Sequence, residues 1–310
     1  MSPGQSILVV HPDKKTQRVC QRILGVTGFP VDVADDLAGG LARIEVRKPI
    51  LIVVDGASVL SPAADAFFAA TRGVEACMTL LEVTSAGQVP KILGTGAVTN
   101  LLVHPMPVLA EELTVTAQKL IRRDLFGADK YLLWGTELHE VTIVRGGQRG
   151  ELIGRVAEHV KAIGQSPRVA QAAMLVTDEL VSNAVHNAPV DGSGDHYRKD
   201  LPRDVELLLD EAHQVRVRWG CDARYLAIEV RDKFGSLDRD TILRSLGRTG
   251  VRETGGGAGM GVALTYRSCD HLVFNLAPGR QTEVVALIDV RASAADRGPA
   301  SSYNVFVERA

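Results

Sequence analysis

The chain has 310 residues, of which 45% are hydrophobic and 23% charged, and its formal net charge is −2. That length predicts two domains, and the near-neutral balance removes any general electrostatic pull toward nucleic acid or an anionic membrane. There is no apolar run of about 18 residues to span a membrane, "MSPGQSILVV" lacks the basic start of a signal peptide, and Cys20, Cys77, Cys221 and Cys269 form no CxxC pair, so a cytoplasmic protein with reduced thiols is expected.

The first half alternates strands and helices. "SILVV" reads as a buried strand and "DKKTQRVCQRILGVTG" as a helix with Val19, Ile23 and Leu24 on one face. "VDVA", "ILIVVDGA", "MTLLEVTSA" and "NLLVHPMP" read as further strands, "LAGGLARIEVRKP" as a helix, and "VLAEELTVTAQKLIRRDLF" as the closing one. Such alternation predicts a parallel sheet covered on both faces, with chemistry at the carboxyl ends of its strands. Those ends carry His11 to Asp13, Asp55, Thr84 with Ser85, and His104 with Pro105.

Residues 5 to about 123 resemble the receiver domain of response regulators, which implies a flavodoxin-like α/β fold. The resemblance places Asp55 at the phosphoacceptor, Thr84 at the hydroxyl position and Pro105 after the position of a Lys. The acidic pair that holds Mg²⁺ in receivers is replaced by His11 and Pro12, with Asp13 one place late, and His104 stands for the Lys. Magnesium needs oxygen ligands, so a docking or dimerisation surface is favoured over phosphorylation of Asp55. The expected organisation is a receiver-like domain over 1–124, a joint over 125–140, a second domain over 141–290 and a tail over 291–310. Tyr131 and Trp134 are expected to pack the joint between the domains.

In the second half "HEVTIVR" reads as a strand and "GELIGRVAEHVKAIG" as a helix with Leu152, Val156, Val160 and Ile163 inward. Ser166 and Pro167 start another helix, predicted to run to about residue 187. Val169, Ala173, Val176, Leu180 and Ala184 form its apolar stripe, and Glu179, Asn183 and Asn187 a polar one. Burying a carboxylate and two amides without partners would cost several kcal/mol, so something polar is expected against that stripe. "YLAIEVRDKFG" reads as a strand ending at Asp232. "GSLDRDTILRSLGRTGVRE" reads as a polar lid whose Arg244, Arg248 and Arg252 are candidates to steady phosphates. "TGGGAGMGVALTYRSC" reads as a glycine-rich turn opening a helix. "HLVFNLAP" and "QTEVVALIDV" read as a closing hairpin. "VDGSGDHYRKDLPRD" is a polar loop and "YNVFV" a short apolar run in the tail that could dock on this chain or another.

Glu-x-x-x-Asn on a helix, Asp after a strand, then Gly-x-Gly-x-Gly opening a helix resembles the GHKL ATPase superfamily. The short "ELVSNAVHNA" box is most similar to the anti-sigma serine kinases of bacterial stress and sporulation switches. The resemblance implies an α+β Bergerat-fold sandwich that binds ATP with Mg²⁺. It implies that Asn183 holds Mg²⁺ and that Glu179 orients or deprotonates the nucleophile. Asp232 would accept from the adenine amino group, Thr282 would contact the adenine end, and Gly257, Gly259 and Gly261 would surround the phosphates. Asn187 and Gly235 join the same nucleotide set. The first glycine box departs from the family's Asp-x-Gly-x-Gly, since Phe234 stands at its first glycine. Two functions stay open: a cytosolic signalling protein that binds Mg·ATP and regulates or phosphorylates a Ser or Thr of a protein partner, such as a sigma or anti-sigma type regulator, and a non-catalytic scaffold with or without nucleotide. A homodimer is a further partner option; nucleic acid and membrane are not expected.

Overall fold

The computed structural model describes residues 5–74, 76–82, 92, 98–105, 107–202, 205–247, 260–292 and 302–308. The chain divides into two compact units, Met1–Leu125 and Phe126–Ala310.

The first unit is a parallel sheet in the order β2-β1-β3-β4-β5. It is built from β1 (Ile7–Val10), β2 (Val31–Ala34), β3 (Leu51–Asp55), β4 (Ala76–Glu82) and β5 (Asn100–His104). Parallel strands need crossovers, and α1 (Lys14–Gly25), α2 (Leu37–Val46) and α3 (Ala64–Thr71) lie between strands, with α4 (Ala110–Arg122) after the last. β1 and β5 are buried at every residue, as a sheet covered on both faces requires; α1 packs with α4, and α2 with α3. The order 2-1-3-4-5 is the flavodoxin-like one, with its switch point between β1 and β3. Side chains start the helices: Asp13 accepts from the Thr16 amide at 2.7 Å, and Asp36 from that of Gly39 at 2.7 Å. The buried face of α1 runs through Cys20, Ile23 and Leu24, with Val19 only half-buried.

The second unit is a mixed sheet in the order β11-β9-β10-β8-β7-β6. Its strands are β6 (His139–Ile143), β7 (Val215–Cys221), β8 (Tyr225–Asp232), β9 (His271–Ala277), β10 (Gln281–Asp289) and β11 (Ser302–Val307). All neighbours are antiparallel except β11, which lies parallel to β9. The tail's apolar run therefore docks on its own chain, as a strand beside β9. α5 (Gln148–Ala162) packs on α6 (Pro167–Ser182), and α6 packs on β8, β10 and α8 (Met260–Ser268). Ser166 caps α6, with Pro167 at its first turn. Val169, Ala173, Val176, Leu180 and Ala184 are all buried. Ile163, expected inward on α5, is 41% exposed, because the helix ends at Ala162. Part of the expected polar lid is helical: α7 spans Arg239–Gly247, and Ile242, Leu243 and Leu246 are buried. Residues 248–259 lie outside the described set.

Side chains alternate between the two faces of β8 and β10. Val230 and Asp232 share one face with Val284 and Thr282, and Glu229 and Arg231 share the other with Val285 and Glu283. The second face carries a buried ionic cluster. Arg218 donates to Glu229 through Nε at 3.1 Å, and Arg216 reaches the same carboxylate at 3.2 Å. Arg231 donates to Glu283 at 3.0 Å, and Asn275 donates to it at 2.8 Å. Both carboxylates are fully buried. The strip after Leu125 completes the cluster: the Gly127 amide meets both Glu283 oxygens at 2.9 and 3.0 Å, and the Ala128 amide meets Glu229 at 2.8 Å. Residues read as a joint are thus held to the second unit by backbone amides. Trp134, expected to pack, is fully exposed. Burial pushes Glu229 up, but the bonds from Arg218 and the Ala128 amide outweigh it and hold the carboxyl below its usual range. Burial and then repulsion from Glu229 push Glu283 up.

Breaking one partner of a buried pair leaves an uncompensated charge. Arg218→Ala is expected to destabilise the second unit by about 3 kcal/mol, read by urea unfolding through the fluorescence of the buried Trp219. A loss below about 1 kcal/mol would mean that Glu229 behaves as a surface carboxylate.

Candidate functional site

The second unit holds a cleft of about 400 Å³ on the face opposite the ionic cluster, lined by residues that include Asn183, Asn187, Asp232, Thr241, Arg244 and Thr282. Four positions singled out from the sequence, Asn183, Asn187, Asp232 and Thr282, meet here although they come from three separate elements.

Asn183 and Asn187 do not continue α6 as an ordinary helix. Asn183–Asn187 is a π-helical turn, closed by the Ala188 amide on the Asn183 carbonyl at 2.9 Å. Such turns insert one residue into a helix and re-aim its side chains. Helical periodicity gave no sign of it. Asn187 Nδ2 donates to Asn183 Oδ1 at 2.8 Å, which orients the Asn183 amide and leaves its oxygen a second lone pair. The Ser236 hydroxyl donates to the Ala188 carbonyl at 2.7 Å, tying the exit of β8 to the end of this turn.

Asp232 and Thr282 are directly paired across β8 and β10. Asp232 Oδ1 accepts from the amides of Phe234 at 2.8 Å and Gly235 at 3.2 Å. Burial nevertheless dominates and pushes the Asp232 carboxyl up to about 6. The Thr282 hydroxyl is buried beside this carboxyl, and bonds from the Thr282 amide and hydroxyl oppose the effect of burial on it. A carboxylate beside a hydroxyl at the end of an apolar slot can satisfy a flat ligand edge that offers one donor and one acceptor.

Gly261 opens α8 against α6. A Cβ there would lie 2.2 Å from Glu179 Oε2 and 3.5 Å from Asn183 Nδ2, so the ends of these two side chains lie against the glycine. Glu179 is half-buried beneath this contact and is not among the residues that line the cleft. Gly257 and Gly259 lie outside the described residues, as do Arg248 and Arg252. Arg244 lines the cleft from α7.

Gly235 and Phe234 have other tasks. Gly235 has φ +60°, and a Cβ on it would lie 2.3 Å from the Ala277 carbonyl; its own carbonyl accepts from Gly279 at 3.1 Å. It nests β8's exit against the β9–β10 hairpin. Phe234, the departure from the glycine pattern, does not line the cleft; its ring packs on His213 at 5.2 Å between centroids.

In the first unit, His11 Nε2 lies 3.7 Å from Asp55 Oδ1. Asp55 Oδ2 accepts from the amide and the hydroxyl of Ser58, both at 2.9 Å. Asp13 is committed to capping α1, and its bonds from Thr16 hold the carboxyl below its ordinary value. Burial lowers the pKa of His104, whose Nδ1 faces the Pro105 carbonyl at 2.8 Å. Thr84 and Ser85 lie outside the described residues.

Sequence reasoning misses four contributors. One is β7, although Val215, Val217 and Trp219 alternate with Arg216 and Arg218. The others are His196 and Lys199, which line the cleft from the polar loop, and Ser236, which lines it at the exit of β8.

No helix among the described residues is long and apolar enough to cross a membrane. No family model matches the chain, and no curated protein matches it. Solved receiver domains match its N-terminal ~38%. The receiver domain of the Francisella response regulator 1452 is 20% identical, covering 38% of this chain and 98% of that one, with a TM-score of 0.32. The CheY-like receiver domain protein of Methanospirillum hungatei JF-1 is 19% identical over 39% and 95%, with a TM-score of 0.33. The receiver domain of NtrX from Brucella abortus is 20% identical over 38% and 98%, with a TM-score of 0.33. At these identities the likeness is one of fold, confined to the first unit.

Proposed function

We propose that the second unit binds Mg·ATP in this cleft, and that the chain is a cytosolic bacterial signal-transduction protein that uses the nucleotide to regulate, or to phosphorylate on Ser or Thr, a protein partner. The observation that carries the reading is that Asn183, Asn187, Asp232 and Thr282 line one cleft while Gly261 abuts Glu179 and Asn183. It also rests on the resemblance of these residues to the GHKL ATPases and their anti-sigma kinases.

The residues fit the group. The Thr282 hydroxyl and the Asp232 carboxylate, paired across β10 and β8, would meet the adenine edge, the carboxylate accepting from the amino group. Asn183 Oδ1, oriented by Asn187, is a hard oxygen donor suited to Mg²⁺. Bound magnesium would supply charge neutralisation to the phosphates. In the catalytic version, Glu179 holds the partner's hydroxyl or takes its proton, and Arg244 steadies the phosphate side. Asp55 is offered here as a docking-surface residue and not as a phosphoacceptor, because Ser58 occupies one of its oxygens and Asp13 caps a helix. A protein partner or a second copy of this chain would meet that surface.

The scaffold reading is favoured by one observation, the position of Glu179 beneath Gly261 and outside the cleft lining. Calorimetry with Mg·ATP, followed by measurement of ADP release, separates the two. Under the kinase reading Glu179→Ala keeps Mg·ATP affinity within about threefold and lowers turnover by about 10²-fold or more. Wild-type binding without turnover establishes the scaffold, and absence of binding sinks both nucleotide readings.

The buried carboxyl adds a pH prediction. Protonated Asp232 presents a proton where the adenine amino group needs an acceptor, so affinity should fall as pH drops through about 6. The limiting slope is about tenfold per pH unit. Asp232→Asn shows the ligand's own titration, and the difference between the two profiles is the Asp232 contribution. Parallel profiles would remove Asp232 from the site.

A further inference from the structure

The stretch from Asp191 to Leu201 leaves the π turn, runs over the surface and returns toward β7. It is exposed at nearly every residue, yet it is folded on itself at two places and tied to the rest of the unit through Tyr197. Asp191 Oδ1 accepts from the Ser193 amide at 2.9 Å, the Ser193 hydroxyl at 2.7 Å and the Asp195 amide at 3.0 Å, fixing a tight turn. The Tyr197 hydroxyl is hydrogen-bonded to His213 Nε2, and His213 Nδ1 to Asp210. The Arg198 guanidinium lies 5.6 Å from the Tyr197 ring centre. His213 in turn packs on Phe234, two residues beyond Asp232. A chain of contacts thus runs from the end of β8 through Phe234 and His213 to Tyr197.

What this chain of contacts holds in place is His196 and Lys199, the two loop residues that line the cleft. They join Arg244 there. Two carboxylates share the lining: Asp238 caps α7, accepting from the amide and hydroxyl of Thr241 at 2.7 Å each, and with Arg244 nearby stays below its usual range, while Asp232 accepts from backbone amides at the exit of β8. Arg244 thus has an acidic neighbour in Asp238, and Lys199, with the His196 imidazole beside it, is the lining cation that forms no ion pair among the described residues, placed to meet an anionic group of a ligand.

We infer that this loop is a cationic clamp for the phosphate chain of a nucleotide, with Lys199 as its principal contact, and that Phe234 positions it through His213 and Tyr197. The inference rests on the nucleotide reading above and adds to it a discrimination: the cleft selects nucleotides over the corresponding nucleoside. Phe234 acquires a reason for standing where glycine is expected, because a glycine there would leave His213 and the loop without a base. Lys199 and His196 are binding residues, while Tyr197, His213 and Phe234 are positioning residues.

The test is the affinity of the full chain for ATP and for adenosine, the latter by displacement of a fluorescent adenine nucleotide. Loss of one charge-assisted contact predicts that Lys199→Gln weakens ATP by about tenfold and leaves adenosine unchanged. Added salt should weaken ATP binding to wild type more than to Lys199→Gln. Tyr197→Phe and Phe234→Leu should reproduce the selective loss for ATP, and Lys199→Arg should restore it. Equal loss for ATP and adenosine, or no loss for either, overturns the clamp while leaving nucleotide binding standing. A wild-type chain that binds neither ligand overturns the nucleotide reading itself.

Discussion

The two-residue period of β8 and β10 is the constraint on which the second unit depends. Each strand must offer alternate residues to opposite faces, and these two offer different chemistry to each. Asp232 and Thr282 go to the cleft, while Arg231 and Glu283, one residue away on the same strands, go to the ionic face. A slip of one residue would exchange the faces, leaving Glu283 in an apolar slot and Asp232 among guanidinium groups. The buried cluster makes such a slip costly, because Glu229 and Glu283 find their partners only in the observed register. The strip from Gly127 to Ala128 closes that face with amides. Register, strip and cleft are thereby fixed together.

The helical layer obeys a similar economy of position. The apolar stripe of α6 sits on the sheet, and the π turn at its end rotates Asn183 and Asn187 onto the cleft side. Gly261 at the start of α8 lies against the side-chain ends of Glu179 and Asn183. On the nucleotide reading, the adenine end is set by the sheet and the phosphate end by the helices and the loop, so each part of one ligand is recognised by a different element. The first unit has the flavodoxin-like strand order 2-1-3-4-5, and there Asp13 and Asp55 hold helix and turn amides.

Much of this was legible in the sequence because it is local. The stripe Val169, Ala173, Val176, Leu180 and Ala184 announces a helix, and alternation announces β8. Ser166 with Pro167 announces a helix start. The polar stripe at Glu179, Asn183 and Asn187 announced that something polar must meet it, and Asn183 and Asn187 do lie in a cleft. What was illegible is long-range. Glu229 and Glu283 read as solvent positions from alternation alone, and only the strip folded over them makes them buried. Nothing in the spacing of Tyr197, His213 and Phe234 shows that they touch. The π turn is a one-residue insertion that periodicity absorbs without trace. β7 is readable from the alternation of Val215, Val217 and Trp219 with Arg216 and Arg218.

The central claim is that one cleft, bounded by the π turn, the end of β8 and the start of α8, receives an adenine nucleotide. Amide hydrogen exchange with and without Mg·ATP addresses it most directly, since exchange reports opening segment by segment. The account predicts slower exchange at 180–199, at 230–246 and at the start of α8, with β6, β7 and the first unit unchanged. Protection confined to the first unit, or no protection at any of the three segments at saturating nucleotide, would contradict it.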